Sequence, residues 1–346
     1  MSALQGTAAA IRSGRQRKLL RSGVTVAIML LALITIAAVS LMLGRTSYSP
    51  GEVLAVIFGE TVPGASFTVG ELRLPRVLTG LLAGFAFGAA GSTFQTMLRN
   101  PLASPDIIGV SAGAGAFAVT GIIMLSMTET AVSFFALGGA LVTAVSIYLL
   151  SNRRGFTGAR FILIGIGVAA MMQSIISYVL TSAPSWQIHT AMQWLSGSLN
   201  GASWEKLGPL TAAFAVCVPI LLLCARSLEM LRIGDETATG LGVQVRPVRI
   251  LLIVSAVTLL AFATAATGPI AFVAFMAGPI AARIMPPGAS LVIPAGFVGA
   301  LLVLVSDFAG QYLFGERYPV GVITGVLGAP YLILLLIRIN RAGTTV

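Results

Sequence analysis

Residues 24–43 read V-T-V-A-I-M-L-L-A-L-I-T-I-A-A-V-S-L-M-L, twenty residues without a charge. A helix of that length rises about 30 Å, the thickness of a bilayer's hydrocarbon core. Arg12, Arg15, Arg17, Lys18 and Arg21 stand just before it, and basic residues beside a span mark its cytoplasmic side. The run is longer than the roughly 7 to 15 apolar residues of a signal-peptide core, and its small residues, Ala37 to Ser40, lie inside it. An uncleaved first span is the expectation.

The same signal recurs at Leu72–Leu98, Ile107–Leu125, Ala131–Leu150, Phe161–Thr181, Leu207–Ala225, Val248–Thr267, Ala271–Arg283, Ser290–Phe308 and Pro319–Ile339. With the first run these predict about ten crossings and an all-α polytopic membrane protein. Residues 24–339 then form a single transmembrane domain, between a basic N-terminal tail (1–23) and a C-terminal tail (340–346). The 346 residues are 57% hydrophobic and 9% charged, against about half and a quarter in soluble domains, which excludes an ordinary soluble protein. Gly at 39 positions without a repeat suits close helix packing in a membrane.

An even number of crossings leaves both termini on the cytoplasmic side. Sixteen of the 21 Lys and Arg, Arg99, Arg153, Arg154, Arg232, Arg249, Arg338 and Arg341 among them, then fall inside, and five, Arg45, Arg73, Arg76, Lys206 and Arg317, outside. That bias agrees with the positive-inside rule. The net charge of +10 is thus a topology signal, not a nucleic-acid footprint.

Several chemistries are poorly supplied. The only lysines, Lys18 and Lys206, follow Arg17 and Glu205, so no phosphate-binding G-K-[ST] loop exists and any ATP use belongs to another chain. Gly109-Val110-Ser111-Ala112-Gly113 has the form G-x-S-x-G but follows no strand, and the single histidine, His189, falls on the opposite side from Ser111. No enzyme and no metal site are expected, and Cys217 and Cys224, seven apart in one helix, read as buried thiols. Ion-coupled transport needs intramembrane acids. The eleven acids, Asp106 included, lie at run ends or in loops, with Asp307 nearest the interior. A secondary transporter is the weaker alternative.

Two segments outside the spans carry pattern. In 44–71, Ser49-Pro50-Gly51-Glu52 leads into V-L-A-V-I-F, predicting one or two turns of interfacial helix. In 226–247, Leu228, Leu231, Ala238 and Leu241 fit short helical pieces jointed at Gly234, Gly240 and Gly242. That suits a surface helix offered to a cytoplasmic partner, with a solvated loop as the alternative. Gly80, Gly84 and Gly88, and again Gly321 and Gly325, form G-x-x-x-G units for helix contact, within the chain or with a second subunit. Arg73 and Arg76, either side of Pro75, either pair with carboxylates of a docking protein or anchor a helix end among headgroups.

The stretch R-L-P-R-V-L-T-G-L-L-A-G-F-A-F-G-A-A-G-S-T-F-Q-T-M-L-R-N-P-L-A-S-P-D-I-I-G-V-S-A-G-A, Arg73 to Ala114, resembles the FecCD-type permeases, membrane subunits of ABC importers for ferric siderophores, haem and cobalamin. So do L-x-x-L-x-x-G-x-x-x-A-x-x-L-G at Leu228 to Gly242, Gly268-Pro269-Ile270-Ala271-Phe272-Val273, and Pro319-Val320-Gly321 with Gly328-Ala329-Pro330. The resemblance implies ten helices in a bacterial plasma (inner) membrane. It also implies a second permease subunit, with a heterodimer slightly favoured, two ATPase subunits that use the ATP, and an external substrate-binding protein. By position, Arg73 and Arg76 match arginines that meet that protein, and Leu228, Leu231, Gly234, Ala238, Leu241 and Gly242 match the segment coupling the permease to the ATPase. Gln95, Asn100, Pro101, Gly109 and Gly113 carry the family motif along the path.

Three departures bear on the outer face. A third docking arginine of some members aligns with Gln311, with Arg317 nearby as a substitute. Glu316-Arg317-Tyr318-Pro319-Val320-Gly321 is one residue longer than the family's E-(L/I)-P-(V/I)-G, and in Ala277-Gly278-Pro279-Ile280-Ala281-Ala282-Arg283 the proline is shifted by one. The function implied is import of a ferric siderophore, with haem or cobalamin as alternatives.

Overall fold

The computed structural model describes residues 2–104, 109–151 and 158–343, the side chains of 2–13, 15 and 338–343 excepted. Asp106, Arg153, Arg154 and the last three residues of the C-terminal tail lie outside the described residues, as do the side chains of Arg12, Arg15, Arg338 and Arg341. The elements are α1 (Ser2–Met42), α2 (Pro50–Ile57), a π-helical segment (Ser66–Arg73), α3 (Leu74–Leu98), α4 (Val110–Ile123), α5 (Glu129–Ser151), α6 (Gly158–Thr181) and α7 (Ser185–Leu195). There follow α8 (Trp204–Leu223), α9 (Ala225–Arg232), α10 (Asp235–Gly240), α11 (Val245–Thr267), α12 (Val273–Ile284), α13 (Val292–Tyr312) and α14 (Val320–Gly343).

Eight helices are long and apolar enough to cross a membrane, and α4 and α12 are shorter apolar helices. Together they account for the ten predicted runs. At 14 and 12 residues, α4 and α12 cover only about 21 and 18 Å. Each follows a residue in the left-handed region, the buried Gly109 (φ 94°) before α4 and the half-buried Phe272 (φ 63°) before α12.

Ser49 and Glu52 form the cap expected ahead of α2. The Ser49 hydroxyl accepts from the Glu52 N–H at 3.3 Å, and the Glu52 carboxylate accepts from the Ser49 N–H at 2.7 Å. The helix of the first span extends back through the basic tail to Ser2. Helix α7 has no counterpart either among the apolar runs or in the two patterned segments outside them. α7, S-W-Q-I-H-T-A-M-Q-W-L, is too short and too polar to register as a span, and it buries Gln187 and Ala191 while packing on α4.

Helix α3 is the axis of the molecule, buried over most of its length and packed against α13, α11 and α12. Its glycines permit this. A Cβ on Gly84 would stand 2.7 Å from the Ala300 Cα and the Gly299 carbonyl, while those on Gly88 and Gly91 would overlap the Ala295 and Ala274 carbonyls. The first G-x-x-x-G ridge is therefore an internal α3–α13 contact. In the second, Gly321 abuts the Ser196 carbonyl but Gly325 has open space beside it. Cys217 and Cys224 are buried free thiols, as expected.

Candidate functional site

The sequence sets Arg73 and Arg76 either side of Pro75 with one role between them. The structure sends them to different partners, because Arg73 ends the π-helical segment and Arg76 lies in the first turn of α3. Arg73 donates to the carbonyls of Leu41 (2.8 Å), Met42 (3.1 Å) and Thr46 (2.7 Å), and its guanidinium lies 5.3 Å from the Tyr48 ring centre. It thus caps the C-terminal end of α1, where a cation complements the orphan carbonyls and the helix dipole. Its charge meets no carboxylate among the described residues.

Arg76 makes a two-pronged bond to Asp307 of α13, Nε to Oδ2 at 2.9 Å and Nη2 to Oδ1 at 2.7 Å. Its Nη1 donates to the Asn200 side chain at 2.8 Å, and Gln311 donates to Asp307 at 2.7 Å. Asp307, the one acid near the membrane interior in the sequence, is therefore the buried half of an ion pair, its side chain 9% exposed against 21% for Arg76. Arg76 is neutralised inside the chain. Arg317 is exposed and makes no hydrogen bond or ion pair among the described residues. Lys206 completes this end of the molecule, bonded to Glu129 at 2.5 Å and to the Gly201 carbonyl at 3.0 Å. With the Asn200 to Lys206 segment and α5, it lines a cavity of about 410 Å³ that α7 walls with Trp186, Gln187 and Trp194.

The other end of α3 carries a second network. Arg99, in the left-handed cap after Leu98 (φ 51°), donates through Nε to the Leu231 carbonyl at 3.0 Å and through Nη2 to Asp235 at 2.7 Å. Arg249 of α11 holds the other Asp235 oxygen at 2.7 Å. These bonds seat the 226–247 segment. Leu228, Leu231 and Ala238 face inward and are buried, whereas Leu241 and Ile233 are more than half exposed. Gly234 (φ 124°) and Gly242 (φ 87°) make the joints, in backbone conformations that L side chains rarely adopt. Burial within α9 pushes the Glu229 carboxyl above its ordinary range, against the opposing pull of Arg232 and Lys18.

The remaining predicted residues lie in the last turns of α3, in the turn after it and at the start of α4. The Gln95 amide donates to the carbonyls of Phe275 (2.9 Å) and Pro101 (3.0 Å), tying α3 to α12 and to the following turn. The Asn100 side chain accepts from the Leu102 N–H at 2.9 Å, closing that turn. Gly109 lets the chain enter α4 beside Gly165 and Ala169, and Gly113 presses against Thr143. Ser111 is buried in α4 and His189 exposed on α7, so the structure, too, places them on different elements.

Sequence reading missed Asn200, Arg99, Asp235 and Arg249 as partners. Only Asp307 carried a signal, since an acid in an apolar run needs a cation; the others join residues up to 136 positions apart.

Residues 24–338 match the model of the FecCD transport family. The ferric enterobactin transport system permease protein FepG of Escherichia coli is 39% identical over 299 residues, covering 86% of this chain and 91% of that protein. The achromobactin transport system permease protein CbrC of Dickeya dadantii is 37% identical over 331 residues, covering 94% and 95%. A solved structure, an inward-facing conformation of an ABC transporter assigned to the metal-chelate type, superposes with a TM-score of 0.80 at 26% identity, covering 90% of this chain and 98% of that one. The chain belongs to the FecCD transport family, the membrane permeases of ABC importers, and is a transport subunit rather than an enzyme.

Proposed function

We propose that this permease carries a ferric siderophore across the inner membrane, with both termini cytoplasmic, after delivery by an external binding protein. The observation that supports this most is the full-length similarity to permeases named for ferric enterobactin and achromobactin transport. ATP is hydrolysed by partner ATPase subunits, two in number, and the permease pairs with a second, non-identical one. Helix α6 is one surface offered to that partner: it exposes Gln173, Ser177 and Gly167 among the apolar Leu163, Ile166, Met171 and Tyr178.

Arg73, Arg76 and Arg317 mark the docking face. Arg73 and Arg317 are its cations without a carboxylate partner among the described residues, and Arg76, already paired, fixes the mouth by joining α3 to α13. The exposed edge at Ile233 and Leu241 meets the ATPase, with Leu228, Leu231 and Ala238 as its inner support and Gly234 and Gly242 as joints. Gln95, Asn100 and Pro101 shape the path indirectly, by holding the turn that follows α3, and Gly109 and Gly113 by letting α4 pack closely on α6 and α5.

The test is reconstitution in liposomes with the binding protein, ATPases and partner permease. ATP-dependent uptake of ⁵⁵Fe bound to enterobactin, a hydroxamate or citrate is the expected result. Uptake of haem or cobalamin with none of the ferric chelates would overturn the substrate assignment, and uptake driven by an ion gradient without ATPase would overturn the mechanism.

A further inference from the structure

We propose that Asp235 is the positioning residue that ties the coupling segment to the membrane helices, so that displacement of the segment reaches α3 and α11 through one carboxylate. The inference rests on the coupling role assigned above to residues 226–247. Leu228, Leu231 and Ala238 hold the segment against the membrane domain by burial alone, a force without direction that permits sliding. Charge-assisted hydrogen bonds add direction. Asp235 has one oxygen for each helix, Oδ1 for Arg99 at the end of α3 and Oδ2 for Arg249 near the start of α11, both at 2.7 Å.

Arg99 does more than receive. It holds the Leu231 carbonyl at the end of α9 and the Asp235 carboxylate at the start of α10, so one guanidinium brackets the Gly234 joint from both sides. The joint cannot bend without moving Arg99, and Arg99 is the residue after the last turn of α3. The opposite end of that helix, 23 residues or about 35 Å away, carries the Arg76–Asp307 pair. One buried helix therefore connects the charged networks at the two ends of the molecule. Arg99 and Asp235 are each 45% exposed, and exposed pairs contribute little to stability, but Arg249 is 12% exposed, so the thermal midpoint of each variant is read beside its transport ratio to separate the geometric role from folding.

The experiment measures chelate transported per ATP hydrolysed, in liposomes holding the complete transporter and the ⁵⁵Fe chelate that the wild type carries. In Asp235→Asn the ATPases remain bound and active while the ratio falls about fivefold. Arg99→Gln produces a similar drop, and Asp235→Glu, which keeps the carboxylate, restores most of the ratio. An unchanged ratio in Asp235→Asn overturns the proposal, as does release of the ATPases by that variant, which would make the residue merely structural.

Leu241→Asp separates this from the coupling assignment. Its exposed side chain makes no part of the tie, yet it faces the ATPase if the segment is the seat, so the variant releases the ATPases. A Leu241→Asp complex that stays assembled and coupled refutes the assignment itself. Release in Leu241→Asp together with an unchanged ratio in Asp235→Asn refutes the tie alone.

Discussion

Replacing Gly84 with alanine tests whether the glycine ridge of α3 sets the helix spacing. The added Cβ falls 2.7 Å from the Ala300 Cα and the Gly299 carbonyl oxygen and 3.0 Å from the Ala300 nitrogen. All three are backbone atoms, so no side chain can rotate away. Ordinary contact begins at 3.4 Å, and the difference, 3.4 − 2.7, means that α13 must withdraw by about 0.7 Å, a gap that forfeits a quarter to a half of the attraction between facing atoms. Overpacking of this kind costs about 1–3 kcal/mol, and the better helix propensity of alanine returns about 0.5–1 kcal/mol. A net loss of about 0–2.5 kcal/mol, centred on about 1 kcal/mol, is expected. Gly325→Ala is the matched control, since it meets nothing within 4 Å in this subunit and gains the propensity term alone. The assay is the thermal midpoint of the purified subunit in detergent, read by size-exclusion chromatography after heating. A Gly84→Ala midpoint at or above the wild-type value, or a Gly325→Ala midpoint lowered as far, would refute the reasoning.

Three further outcomes are expected. Asp307→Ala leaves the Arg76 guanidinium largely buried without its carboxylate and costs about 3 kcal/mol; a thermal midpoint unchanged from wild type would show that the pair is not holding α3 to α13. Gln95→Leu removes the donor to two backbone carbonyls, at about 1–3 kcal/mol for each that is left buried and unpaired, and should raise hydrogen exchange at the start of α12; exchange equal to wild type there argues against that tie. The Ser49 N–H and hydroxyl hold the Glu52 carboxyl below its ordinary range. Its contribution to α2 is therefore complete above the ordinary glutamate range and is lost as pH falls through the lowered folded value. Amide exchange in α2 should accelerate only in that acid window, whereas Glu52→Ala frays the helix at neutral pH; equal exchange in both proteins at neutral pH counts against the capping box.

Helices with a long apolar signature were legible without coordinates, as was the start of α2 from its Ser-Pro-Gly-Glu signal. α7 was not, because eleven residues with Gln, His and Thr among them resemble a loop as much as a helix. The candidate site was half legible. Arg73, Arg76 and the 226–247 segment were identifiable by position and motif, but each was read as a side chain waiting for an outside partner. In the folded chain both arginines already have partners, and three of the four apolar residues picked out in 226–247 point inward.

The amino-acid sequence alone determined that this is a helical membrane protein of about ten crossings with a strong basic bias to one side, because bilayer thickness and the cost of burying charge act on each segment independently of the rest. Tertiary structure alone decided which charges are spent within the chain. Arg76 meets Asp307 across 231 positions, and Arg99 meets Asp235 across 136. The first follows from the antiparallel stacking of α13 on the α3 glycine ridge and the second from the seating of 226–247 against the end of α3, contacts between distant segments that no local pattern encodes.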